Sequence, residues 1–159
     1  MVLRRAGSAL WSALSDAARR PAMRPIVRAF TGLHVLLYRQ SGGMAQTPGF
    51  PTLLLTTWGR KTGKPRTIPL VYVTDGECFI IAAAYSGSDQ HPAWWLNLQH
   101  NPDAVVEVRR KQVKVRAEVA DASQRDLLWK RLVAMYPPFT EYQTRTSRQI
   151  PVIVLKPVG

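Results

Sequence analysis

The sequence predicts an α+β domain, a mainly antiparallel barrel of short strands with flanking helices and an N-terminal helical extension. Three observations carry that reading. Apolar runs of strand length are joined by tight-turn signals, the clearest being Asp75-Gly76 between two such runs. Few connections are long enough for a crossover helix, so most neighbouring strands must be linked as hairpins. With 159 residues and 46% hydrophobic content, one domain can bury a substantial core, and global disorder is excluded.

The extension reads as two helices interrupted near Pro21 and Pro25. Leu3, Ala6, Leu10, either Ala13 or Leu14, and Ala17 recur at helical spacing in the first. Ile26, Phe30, Leu33 and Leu37 do so in the second, with His34 beside the stripe. The first fifty residues contain seven arginines and one acid, Asp16. The pair is therefore either a basic amphipathic attachment to an anionic bilayer surface or a cap on the domain core. Ser41-Gly42-Gly43 followed by Pro48, Gly49 and Pro51 marks a link. It divides the chain into a helical segment, 1–48, and a barrel domain, 49–159.

The barrel domain opens on Leu53 to Leu70, an apolar strand, a Gly-punctuated turn and a second strand. Gly59 and Gly63 free the backbone, and Arg60, Lys61, Lys64 and Arg66 place four positive charges within seven residues. Backbone N–H groups surrounded by guanidinium and ammonium groups make an anion site. The alternative is an exposed hairpin turn that is basic for solubility. The GxxxxGK[ST] spacing is absent, which excludes a Walker loop.

Ile68–Thr74 reads as a strand and Glu77–Ala84 as the next, ending in Tyr85-Ser86-Gly87-Ser88, a small loop able to bring backbone close to a ligand. His91-Pro92 opens a helix through Leu98, with Pro92 in its first turn; the N–H groups there are a second place for an anion or a carbonyl oxygen. Asn101-Pro102 ends it. Strands at 105–109 and 113–119 flank a basic turn. Ser123 caps a helix that runs to Tyr136, with Leu128, Leu132 and Met135 facing inward. Pro137-Pro138 breaks it and puts Phe139 and Tyr142, after Tyr136, on a loop, where the aromatics either line a pocket or staple the core edge. Ile150–Leu155 is the last strand.

A formal net charge of +12 points to a polyanionic partner, whether nucleic acid, an anionic membrane surface or a multiply charged small molecule. The single Cys78 cannot form an internal disulfide and reads as a core residue, with a reducing cytoplasm as the default compartment. No zinc spacing is present, and His34, His91 and His100 form no ligand pair. No apolar run approaches the roughly 18–20 residues of a membrane span. Arg19, Arg20 and Arg24 stand where a signal peptide needs its cleavage region, so no secretory signal is expected.

Four segments, LLLTTWGRKTGKPRTIPL (53–70), HPAWWLNLQHNP (91–102), LVAMYPPFTEYQTRT (132–146) and IPVIVL (150–155), taken in order resemble the deazaflavin-dependent nitroreductase family. The resemblance implies a split β-barrel of the FMN-binding type. It implies coenzyme F420, an 8-hydroxy-5-deazaflavin, as cofactor, and F420H2-dependent reduction of a quinone or another electron-poor conjugated acceptor. By position, Arg60, Lys61 and Thr62 would hold the phosphate end or the poly-glutamyl tail of the coenzyme. Arg66, Thr67, Ile68, Pro69, Leu70 and Val71 would line it, with Arg66 as the principal phosphate contact. Ala82, Ala83, Ala84 and Tyr85 on one side, and Ala93, Trp94, Trp95, Leu96 and Asn97 on the other, would flank the ring by backbone and packing. Tyr136, Phe139 and Tyr142 would form the wall at the acceptor, with the hydroxyl of Tyr136 or Tyr142, or a water, protonating the product. Three positions depart from the pattern of the family's nitroreductase branch: Tyr85 replaces a lysine, Ile68 an asparagine and Phe139 a tyrosine. The partners implied are a small quinone-like acceptor rather than nucleic acid, and an anionic membrane touched by residues 1–40. Two rival readings remain, an FMN-dependent barrel of the same class and a non-enzymatic basic barrel that binds nucleic acid or membrane.

Overall fold

A computed structural model describes residue 13 and residues 20–43 and 49–159 of the chain. The first expected helix lies outside the described residues apart from Ala13, which is helical. The second is α1 (Arg24–Gln40), with Pro25 in its first turn, where a missing N–H costs nothing. The strands are β1 (Thr52–Trp58), β2 (Pro65–Val71), β3 (Val73–Asp75), β4 (Cys78–Ala82), β5 (Asp103–Val108), β6 (Lys111–Val119) and β7 (Val152–Pro157). The remaining α-helices among the described residues are α2 (Ala93–His100), α3 (Ala122–Met135) and α4 (Pro138–Thr144).

All seven strands form one antiparallel sheet in the order β2-β1-β5-β6-β7-β4-β3. The expected single strand over 68–74 is in fact two, parted at Tyr72. Its first half pairs with β1 and its second with β4, so the two edges of the sheet belong to one continuous stretch of chain. That continuity curls the sheet into a split barrel. The free side of β2 tolerates Pro65 and Pro69, which would break a central strand.

Period-2 alternation sorts the strand residues onto two cores. Leu53, Leu55, Ile81, Ala83, Ala104, Val106, Ile153 and Leu155 fill the barrel interior, which α2 plugs with Trp94, Trp95 and Leu98. Ile80, Ala82, Ala84, Ile150, Val152 and Val154 point the other way and bury Leu128 and Leu132 of α3.

Two boundary expectations are corrected. Asp121, not Ser123, caps α3: its carboxylate accepts from Gln124 N at 3.0 Å, and the Ser123 hydroxyl donates to it. The Pro137-Pro138 pair does not begin a loop but opens α4, because proline suits the first helical turn. Helix α1 is fastened to the barrel through Tyr38. That side chain is fully buried, donates to Thr52 O at 3.1 Å and accepts from Arg109 N at 3.3 Å. Next to it, Arg39 pairs with the buried Glu107 carboxylate at 3.1 Å. Among the described residues no helix is long and apolar enough to cross a membrane, and no His, Cys, Asp and Glu side chains cluster to hold a metal.

Candidate functional site

The cationic turn closes on itself. Gly59 N donates to Lys64 O at 2.8 Å, and Gly59 O accepts from Thr62 N at 3.2 Å and Gly63 N at 2.7 Å. Gly63 has φ 66°, a conformation that glycine adopts at no steric cost. Arg60, Lys61, Thr62, Lys64 and Arg66 are all exposed. No carboxylate pairs with the four cations among the described residues, and the sequence has no Asp or Glu from 17 to 74.

The turn sits at one end of the barrel and is tied to the plugging helix. Asn97, buried on α2, accepts from Arg60 N at 3.1 Å and from Arg60 Nη1 at 3.3 Å, and donates to the buried Thr57 hydroxyl at 3.1 Å. Thr57 stands opposite Arg66 in the β1–β2 register. Arg66 shares a strand face with Ile68 and Leu70, whose side chains pack toward the interior, so Arg66 lies at the barrel mouth. Thr67 and Pro69 face the opposite way, with Thr67 sharing a 2.8 Å hydroxyl contact with Thr56. Val71 joins the outer core at the far end of β2.

The loop after β4 is built differently. Ala82, Ala83 and Ala84 are buried, and Tyr85 (φ 45°), Ser86 (φ 53°) and Gly87 (φ 75°) run consecutively in the left-handed region. For the two non-glycine residues that is strained backbone, which persists only where its surroundings enforce it. The enforcement comes from the chain after α4. Arg148 donates to Ala83 O at 3.1 Å, Ala84 O at 2.8 Å and Ser88 O at 2.8 Å, and Arg145 donates to Ser86 O at 3.3 Å. Thr146 donates to Asp89 at 2.7 Å. A Cβ on Gly87 would fall on the Tyr142 carbonyl oxygen, so only glycine lets loop and helix approach this closely. Asp89, Arg145 and Arg148 are supporting residues that sequence reasoning missed. No local pattern marks them, because their partners lie about sixty positions away.

The aromatic trio takes the core-edge alternative rather than that of an open pocket wall. Tyr136 is 2% exposed, with Phe139 and Tyr142 buried beside it and Phe50 edge-on to the Tyr136 ring at 4.9 Å. The Tyr136 and Tyr142 hydroxyls meet at 3.4 Å. Burial, then the Tyr142 hydroxyl, pushes the Tyr136 phenol far above its ordinary range, so it stays protonated at any working pH. Phe139 lies within this packing, and its missing hydroxyl leaves no polar gap there. Trp94 and Trp95 are buried in the interior, Leu96 is half-buried and Ala93 exposed. His91, just ahead of α2, has its Nδ1 sealed from solvent without a hydrogen-bond partner, and burial and the nearby Arg148 charge lower its pKa.

At the opposite end of the barrel, Gly49, Phe50, Pro51, Tyr72, Val108 and Arg109 line a cleft of about 620 Å³. It holds one cation, Arg109, against four at the turn.

Residues 30–157 match a family model described as F420H(2)-dependent quinone reductase. The chain is 40% identical over 129 residues to an F420H(2)-dependent quinone reductase of Mycobacterium tuberculosis, covering 77% of this chain and 87% of that one. A solved F420-H2 dependent reductase, FDR-A, is 36% identical and superposes with a TM-score of 0.62 over 67% of this chain and 94% of its own. A Listeria innocua structure assigned to the pyridoxamine 5'-phosphate oxidases shares the fold alone, at 16% identity and a TM-score of 0.51 over 68% of this chain and 84% of that one.

Proposed function

The chain belongs to the F420H(2)-dependent quinone reductase family, and on that premise we propose that it transfers a hydride from reduced coenzyme F420 to a quinone-like, electron-poor acceptor. The observation that carries the assignment to a site is the uncompensated charge of Arg60, Lys61, Lys64 and Arg66 at the barrel mouth, tied to Asn97 of α2. A phosphate and a run of carboxylates suit those donors better than any neutral ligand. Bound reduced F420 would supply the hydride.

The protein's share is position and electrostatics. Arg66 holds the phosphate, and Arg60, Lys61 and Thr62, with Lys64 beside them, hold the acidic tail. Ala82 to Tyr85 and Ala93 to Asn97 bound the ring space from two sides, the first held rigid by Arg148, the second by the buried tryptophans. The Tyr136–Tyr142 hydroxyl pair, or a water, delivers the proton to the reduced acceptor. Both tyrosines are buried, so delivery from either hydroxyl requires this packing to open.

We further place the protein in the cytoplasm, peripheral on the inner face of the membrane. Helix α1 leaves Ile26, Phe30, Leu33, Leu36 and Leu37 between 47% and 54% exposed along one side, with Arg20, Arg24 and Arg28 at its basic start. An apolar stripe flanked by arginines and free of acids suits an anionic bilayer. It would bring residues 49–159 to a lipid-soluble acceptor. Pelleting with anionic liposomes should lose the chain when Phe30 and Leu33 become Ser, and retention would reject the attachment.

Fluorescence titration with oxidised F420, with FMN in parallel, tests the coenzyme. Saturable binding of F420 but not FMN is expected, followed by quinone-dependent oxidation of F420H2. Binding of FMN alone would overturn the assignment.

A further inference from the structure

Asn97 is a buried amide in an apolar setting, between Trp94, Trp95 and Leu98 of its own helix. Both polar atoms of its side chain are committed. Nδ2 donates to Thr57 Oγ1, and Oδ1 accepts twice from one residue, from the Arg60 main chain at 3.1 Å and its guanidinium at 3.3 Å. An amide oxygen has two lone pairs, and Arg60 takes both. The other hydrogen bonds of the turn run within it, so this side chain joins the turn to α2.

The chemistry of that tie matters. A carboxylate in the same place would hold Arg60 at least as firmly but would cancel its charge. Three other arginines are held by a carboxylate, Arg39 by Glu107, Arg116 by Asp103 and Arg131 by Asp75. At the turn the acceptor is neutral, so the guanidinium is aimed and its charge persists.

We propose that Asn97 is the positioning residue of the anion site: its uncharged carboxamide fixes the main chain and guanidinium of Arg60 at the barrel mouth while leaving the cation available to a phosphate or carboxylate ligand. It acts through Arg60 and touches no ligand with its side chain. The identity of the ligand as F420 rests on the coenzyme reading above, whereas the positioning role rests on the hydrogen bonds.

The test is a double-mutant cycle in the full chain with Asn97→Leu and Arg60→Ala, read with two probes, oxidised F420 and inorganic tripolyphosphate. Each single change is expected to raise both dissociation constants about tenfold, and the pair to be no worse than Arg60→Ala alone, because the two act as a unit. A hundredfold loss in the double variant, or an unchanged Asn97→Leu, would overturn the proposal. Asn97→Asp guards against a folding failure, since it keeps the acceptor and adds a charge. Its melting temperature should stay within about 2 °C of the wild type, while both dissociation constants rise at least tenfold. Unaltered binding by Asn97→Asp would reject the proposal. Should the cycle behave as expected with tripolyphosphate while F420 does not bind, the coenzyme reading falls and the positioning role stands. Wild-type protein that binds neither probe removes both.

Discussion

The turn at 59–64 and the loop at 83–88 both flank the proposed coenzyme space, and both depend on arginine, yet they use it in opposite ways. In the turn, Arg60 and Arg66 are exposed, and among the described residues the protein acceptor of Arg60 is a neutral amide. In the loop, Arg148 gives three hydrogen bonds to backbone carbonyls and Arg145 gives a fourth, so their donors hold the protein's own chain in a strained path. An arginine whose donors meet internal carbonyls braces the chain, and one left largely to solvent keeps its donors and charge available to an anion. Charge counted from composition does not separate the two.

That contrast breaks or sharpens at four places. The largest effect is expected at Gly87→Ala. A Cβ there meets the Tyr142 carbonyl oxygen, lies 2.8 Å from Arg145 Cβ, and demands φ 75° of an alanine. We expect a loss of about 3 kcal/mol or more in urea unfolding; a stable variant would mean that the loop is not pressed on α4. Next, Arg148→Met removes three bonds and strands the buried Ala83 and Ala84 carbonyls, for a cost of about 2–3 kcal/mol. Should it instead weaken F420 binding with stability intact, Arg148 would belong with the ligand groups.

Arg66→Ala should do the reverse. Stability should stay within about 0.5 kcal/mol, because the side chain is exposed, while the F420 dissociation constant rises about tenfold with the lost charge-assisted contact. An unmoved dissociation constant would show that the phosphate sits elsewhere. The smallest effect belongs to His91. Its folded pKa lies below the ordinary 6.5, so the unfolded chain takes up the proton more readily. Its contribution is complete above about pH 6.5 and declines as the pH falls below that value. A melting-temperature profile should therefore drop less between pH 7 and pH 5 in His91→Leu than in the wild type. Parallel profiles would remove His91 from the acid-sensitive groups.

Much of the fold and the polar half of the candidate site were legible. Asp75-Gly76, the glycine-punctuated turn and the strand alternations are local signals, set by φ/ψ preference and by period-2 spacing within a few residues. The 59–66 charges stood out because they are contiguous. The aromatic trio was legible as residues but not as a place: two prolines fit a break or a helix start equally well. What decided it was the apolar cluster shared with α3 and the loop after β4, which gave Phe139 and Tyr142 of α4 something to bury against.

From residues alone came a domain of antiparallel strands, a cationic turn, the resemblance of four linked segments to one family, and a helical apolar stripe from Ile26 to Leu37 in a basic segment, because each rests on neighbours in the chain. The closure of the sheet by a strand split at Tyr72, the neutral anchor 37 positions from Arg60 and the arginine brace 65 positions from Ala83 came from folding. Those contacts join residues that no spacing rule relates. Their partners are chosen by which side chains the barrel brings to the same end, and by the need of buried polar groups to be matched.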